Sequence, residues 1–180
     1  MSSKEEKNNM DLESSAAKSL FLGTIIEQNL FPFPKFSAEE KETLELVVES
    51  IDKFLAGKDE EFRKYDTQGA QPDEYVDALK ELGLFGLIIP EEYGGIGLSN
   101  SGYSRVLQQT SKYDASTSLT VGAHSSIGMK GLLLFGTDEQ KKKYLPKLAS
   151  GEYLGCFGLT EPDFGSNPGG MLSKFEDKGD

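Results

Sequence analysis

The sequence holds one cysteine, Cys156, and one histidine, His124. No disulfide can close within the chain, a Cys/His zinc site lacks ligands, and a Cys–His dyad would need the two singletons to meet. Basic residues are also scarce: 19 Lys and Arg stand against 30 Asp and Glu, a net charge of −11. That balance does not suit neutralising nucleic-acid phosphates or anionic lipid headgroups, so neither is expected as a partner. No apolar run approaches the ~20 residues of a membrane-spanning helix. Residues 1–15 have neither the apolar core of a secretory signal nor the Arg-rich, acid-poor character of a transit peptide, and the expectation is a cytoplasmic chain. What remains is 180 residues, 37% hydrophobic and 27% charged, the profile of one globular domain or a large piece of one. The acidity is uneven. Residues 1–90 carry ten basic and nineteen acidic side chains, residues 91–180 nine and eleven, so the second half tolerates an anionic ligand better.

Residues 1–17 are polar without apolar periodicity and read as a disordered tail. An apolar segment from Leu20 to Phe33 follows, and Pro32 and Pro34 discourage helix there. Ser37 and Glu40 have the spacing of a capping box, with Leu44, Val47, Val48, Ile51 and Leu55 at helical spacing up to Gly57. Lys58 to Gln71 is mostly polar and reads as a loop or frayed extension. Pro72 and Asp73 suit the first turn of a second helix that stops at Gly83. After the apolar stretch 84–90, the glycines at 94, 95 and 97 make a turn-rich loop. A third helix is predicted from near Ser99 or Ser101, carrying Tyr103, Val106, Leu107 and Thr110. A fourth is predicted from about Ser118 to Phe135, apolar or small on nearly every face and therefore buried. Gly122, Gly128 and Gly131 within it imply close approach by another helix or a ligand. Thr137 and Gln140 open a fifth, Lys-rich helix. From Tyr153 to Thr160 the pattern becomes that of a strand or extended segment leaving a helical domain.

Most single features have a plain structural reading. Gly95 and Gly97 lack the third glycine and preceding strand of a dinucleotide fingerprint. The three lysines at 141–143 read as a solvated face. His124 beside Ser125 is not a hydrolase pair, because neighbours on a helix face different directions; a packed, hydrogen-bonded histidine is expected. Cys156, among apolar neighbours, reads as a small core residue. The segment Phe157-Gly-Leu-Thr-Glu-Pro-Asp-Phe-Gly-Ser-Asn167 differs. It can offer N–H groups and hydroxyls to a flat heteroaromatic edge at one end and to phosphate oxygens at the other, although Thr-Glu-Pro before a Gly-Ser turn could equally end a strand.

This segment resembles the signature of the FAD-dependent acyl-CoA dehydrogenases, and others agree in order: Leu82-Gly-Leu-Phe-Gly-Leu-Ile-Ile-Pro-Glu-Glu-Tyr-Gly-Gly-Ile-Gly-Leu98, Gly122-Ala-His-Ser-Ser-Ile-Gly128, and the run from Phe135 to Glu152. The likeness covers roughly residues 18–172, and Lys18-Ser-Leu-Phe-Leu-Gly23 together with Phe-Pro-Phe-Pro is most similar to the very-long-chain branch. The resemblance implies a mainly α fold. Residues 18–152 would be the N-terminal helical domain, and residues 153–180 the start of a middle β domain, cut short.

The activity implied is oxidation of a fatty acyl-CoA to the trans-2-enoyl-CoA, with hydride passing to FAD and an electron-transfer flavoprotein as acceptor. By the same resemblance Phe157, Leu159 and Thr160 would line or hydrogen-bond the flavin ring. Ser166 would sit at the FAD phosphate or CoA side, and the helix around Gly122 would form part of the acyl channel, with Tyr103 and Val106 on a neighbouring helix as walls or as simple core. Asn167 stands where the family usually has Asp. The family's chains run on through a β domain and a helical bundle that supply the rest of the FAD site, the catalytic glutamate and a homo-oligomer interface. The expectation is therefore an N-terminal fragment with no catalytic residue of its own, Glu161 not being the family's base. The alternative is a catalytically inactive acyl-binding or subunit-docking module derived from the family.

Overall fold

The computed structural model describes residues 15–33 and 35–179; the polar tail expected over 1–17 falls mostly outside them, as does Pro34. The chain divides into a short unit ending at Ser37 and a larger one beginning at Ala38. In the short unit Ser15 caps helix α1 (Ala16–Phe21), its side chain accepting from the Lys18 N–H, and a single 3₁₀ turn follows at Glu27–Asn29.

The larger unit is helical. Helix α2 (Ala38–Leu55) buries Leu44, Ile51 and Leu55, the stripe expected from spacing. The next segment is a finding against expectation: residues read as a loop form helix α3 (Asp59–Gln68). Three acids in its first turn complement the helix dipole, and its few apolar residues share one face. There Phe62 and Tyr65 meet Tyr75 at ring-centroid distances of 6.1 and 5.3 Å. Helix α4 (Asp73–Glu81) begins after Pro72 and buries Tyr75 and Leu79.

Residues 84–89 are buried without being a regular element. Their backbone is satisfied by the glycine loop, since Ile96 N–H donates to Gly86 O at 2.9 Å and Leu98 N–H to Leu87 O at 2.8 Å. A Cβ on Gly95 would stand 2.0 Å from the Ile89 carbonyl oxygen, so this position needs glycine for close approach. Helix α5 (Asn100–Ser111) is capped by Ser99, whose own N–H donates to Glu40 of α2 at 2.8 Å. Asp52 of α2 accepts from Gln109 of α5 and from Tyr113 just past its end. These two donors hold its carboxyl below the usual carboxylate range.

The long fourth helix expected over 118–135 is three pieces. Helix α6 (Ala115–Ala123), capped by Asp114, runs into a π-helical turn at His124–Gly128, and helix α7 (Lys130–Phe135) follows. Nor is it buried all round, for Leu119 is 71% and Phe135 85% exposed. Helix α8 (Asp138–Ala149) opens with the predicted capping box of Thr137 and Gln140. The core is shared by Ile51, Leu79, Phe85, Val106, Val121, Met129 and Leu145. Among the described residues there is no strand: from Leu154 to Thr160 the chain is irregular, because no described segment pairs with it.

Candidate functional site

Helices α5 and α6 and the π-turn enclose an open groove of about 370 Å³. Its α6 side is lined by Ala115, Ser118, Leu119 and Gly122, spaced three and four residues apart so that they share one face, and Ser126 and Ile127 extend it into the π-turn. Tyr103 and Leu107 form the opposite wall. The structure thus brings Tyr103 and Gly122 together. The Tyr103 hydroxyl donates to Gly122 O at 3.1 Å, and the Ser126 hydroxyl donates to the same oxygen at 2.6 Å. Burial pushes the Tyr103 phenol above its ordinary value of 10.0, so it stays a donor at neutral pH. Among the described residues no charged side chain lines the groove, and its size lies in the range of small-molecule sites.

The glycines do different jobs. A Cβ at Gly122 would meet Leu107 at 3.6 Å and Tyr103 Oη at 3.7 Å, ordinary contacts on the groove side. One at Gly128 would stand 2.6 Å from the backbone of Gly155, and one at Gly155 2.9 Å from that of Gly128. Gly131 faces open space. Close approach is therefore real at Gly128, and the partner is the extended segment rather than a helix.

That segment leads to the signature. Phe157 is 56% exposed, Leu159 half-buried, and Thr160 and Ser166 exposed. None of the four lines the groove. Neither the backbone of residues 156–160 nor the Thr160 and Ser166 hydroxyls find a hydrogen-bond partner among the described residues. An edge of unpaired amide donors and acceptors, a hydroxyl and an exposed aromatic ring fits the rim of a flat, polar-edged ring system such as a flavin. Glu161 closes the following loop by accepting the N–H groups of Leu172 and Ser173, both at 2.8 Å, which holds its carboxyl below the ordinary value. It serves as a backbone clamp. Cys156 is exposed, correcting its reading as a core residue: with no strand ladder around it, the segment presents both of its faces.

His124 is 2% exposed and hydrogen-bonded, as expected of a packed histidine. Its Nε2 lies 3.1 Å from Leu148 O at the end of α8, and its Nδ1 accepts the Gly155 N–H at 2.9 Å. The buried Ser125 hydroxyl has no hydrogen-bond partner among the described residues. Sequence reasoning missed the His124–Gly155 link and the remaining groove walls. The recurrence of small residues at 115, 118, 122 and 126 was the available signal. On the other side of Leu119 a second groove, about 360 Å³, is lined by Asp66, Asp114 and Gln71. Polar bonds already tie its wall together: Thr117 joins Asp114 and Gln71, and Thr120 donates to Gln71 at 3.0 Å. Among the described residues no cluster of three metal-ligating side chains occurs, and no helix is long and apolar enough to cross a membrane.

Residues 40–152 match the family described as acyl-CoA dehydrogenase, N-terminal domain. The chain is 44% identical, over 85% of its length, to the mitochondrial very long-chain specific acyl-CoA dehydrogenase of Macaca fascicularis, and spans 23% of that relative. Among solved structures it resembles an acyl-CoA dehydrogenase complexed with FAD from Bacillus anthracis, with TM-score 0.64, 35% identity, and coverage of 86% of this chain and 26% of that one. A chain in a structure described as the electron transferring flavoprotein of Acidaminococcus fermentans is similar at TM-score 0.64 and 33% identity, covering 74% of this chain and 34% of that one.

Proposed function

The chain belongs to the acyl-CoA dehydrogenase family, and from that premise we propose that it provides the acyl-chain groove and one cofactor edge for α,β-dehydrogenation of a fatty acyl-CoA to the trans-2-enoyl-CoA. The observation that carries this reading is the uncharged groove in which Tyr103 and Gly122 meet. An acyl chain laid between α5 and α6 would leave water for Leu107, Leu119 and Ile127, while the Tyr103 and Ser126 hydroxyls, turned onto Gly122 O, offer it little polar competition. FAD, when bound, supplies the hydride acceptor. Residues of this chain that would hold it are Phe157 and Leu159 against the ring, Thr160 and its neighbouring amides at the ring edge, and Ser166 toward the FAD phosphate or the CoA side. An electron-transfer flavoprotein as electron acceptor belongs to the same reading.

Displacement of a fluorescent polyene fatty acid by saturated acyl chains tests the groove. Each added methylene contributes ~0.8 kcal/mol on burial, about fourfold in affinity, until the groove is full. Leu119→Gln places a polar side chain at an exposed groove position and should weaken binding of long chains about tenfold without unfolding the protein. Affinity independent of chain length, or untouched by Leu119→Gln, would sink the reading.

A second reading draws on the same lining, which holds no carboxylate to remove an α-proton: an acyl-binding or subunit-docking module without turnover. Neither reading expects dye reduction by this 180-residue chain with palmitoyl-CoA and FAD, and turnover would sink both. Co-purification separates them: a stable protein partner or a retained acyl ligand supports the module, and absence of both together with aggregation counts against it.

A further inference from the structure

The signature segment does not leave α8 freely. Between the end of that helix and Phe157 the backbone is gripped at Gly155 in two ways. The Gly155 N–H is a fixed donor, so the His124 Nδ1 that receives it must be unprotonated, and Nε2 therefore carries the proton and donates it to Leu148 O. The ring has one tautomer and one orientation. Phe85 packs against it edge-on, at 5.0 Å between centroids and 88° between planes. Independently, the backbones of Gly128 and Gly155 touch so closely that neither accepts a Cβ. His124 and Gly128 are the first and last residues of the π-turn, and Ser126 and Ile127 between them line the acyl groove.

The geometry points to His124 as a positioning residue: acting through Gly155, it sets the direction in which Phe157, Leu159 and Thr160 are presented and couples that edge to the groove wall. The inference rests on reading Phe157–Thr160 as the cofactor edge. Ser126 and Ile127 lie four residues after Gly122 and Ala123 and so stay on the groove face, while His124 lies off that face and reaches Leu148 and Gly155. The π-turn is closed by the Met129 N–H, which donates to His124 O at 3.1 Å.

The lone cysteine supplies the reporter. A nitroxide attached to Cys156 in the full chain sits one residue beyond Gly155 on an exposed side chain. Two variants divide the functions of the ring. His124→Gln keeps an amide N–H near the Nε2 position for Leu148 O but offers no acceptor at the Nδ1 position. His124→Asn keeps an acceptor oxygen near Nδ1 for the Gly155 N–H and gives up the Leu148 bond. His124→Gln is expected to raise the mobility of the nitroxide and speed hydrogen exchange of the Gly155 amide at least tenfold, while His124→Asn leaves both near the parent values. Exchange at core amides such as Ile51 and Val106 reports whether each variant is folded. The inference is overturned if both folded variants loosen the nitroxide equally, as general loss of packing would, or if neither does. Added FAD is a separate arm. If FAD, at a concentration where quenching of its fluorescence shows that the chain binds it, leaves the nitroxide spectrum of the parent chain unchanged, the cofactor-edge reading fails, while the split between the two variants still decides the role of His124.

Discussion

At the residue scale, two glycines of one motif separate cleanly. Gly122 has room for a methyl group and sits inside α6, where Ala is favoured over Gly by about 1 kcal/mol, so Gly122→Ala should leave the melting temperature unchanged or raise it. Gly128→Ala must push its Cβ into the Gly155 backbone, which no side-chain rotation relieves. It should lose about 1–3 kcal/mol, seen as a lower urea midpoint, and loosen residues 155–160. Equal behaviour of the two variants would contradict the close crossing. His124 adds a pH term. Burial holds its pKa below the ordinary 6.5, so the native state binds fewer protons than the unfolded state in that region. Its contribution is complete above about pH 6.5 and is lost as pH falls through the lowered folded value. The fall in urea midpoint from pH 7.5 to 5 should be smaller in His124→Asn than in the parent. The clamped and paired carboxylates, Asp52 and Glu161, titrate below their ordinary values and so act at lower pH.

At the element scale, the helices written by periodicity and caps were legible. Leu44, Ile51 and Leu55 mark α2, Pro72 with Asp73 opens α4, and Thr137 with Gln140 opens α8. Helix α3 was not, because its polar composition hides a narrow apolar face that matters only once Tyr75 of α4 is there to receive it. Phe62→Ala removes the buried ring of that face and should destabilise the fold by about 3 kcal/mol in chemical denaturation. A smaller change, below about 1 kcal/mol, would mean α3 is held by its dipole and the Lys58–Glu61 ion pair instead. The break of the predicted fourth helix has a similar cause. A π-turn exchanges regular hydrogen bonding for a tertiary fit, here the contact of Gly128 with Gly155 and the bridge from His124. The irregular course of residues 154–160 likewise reflects pairing: a strand exists only beside another strand, whatever its own propensity.

At the scale of the whole molecule, charge sets a further expectation. A net charge of −11 repels a CoA ester, whose phosphates are anionic, but not a neutral acyl ester of the same chain. Raising ionic strength from about 0.01 M to 0.15 M shortens the Debye length from about 30 to 8 Å, and should strengthen binding of palmitoyl-CoA while leaving the neutral ester unchanged. Weaker CoA-ester binding in salt would instead reveal a local basic site. The sequence by itself determined the helical class, most helix starts and stops and the ordered motifs of the family, because spacing and capping are local and survive in the unfolded chain; Tyr103 and Gly122 as candidate groove residues came only from the family resemblance. The tertiary structure alone decided that Tyr103 and Gly122 share a hydrogen bond, that the groove is walled by one face of α6 and a π-turn, and that His124 ties Leu148 to Gly155. Those contacts join residues distant in sequence, such as 124 and 155, and a hydrogen-bond acceptor or a missing Cβ acquires its role only when another segment is packed against it.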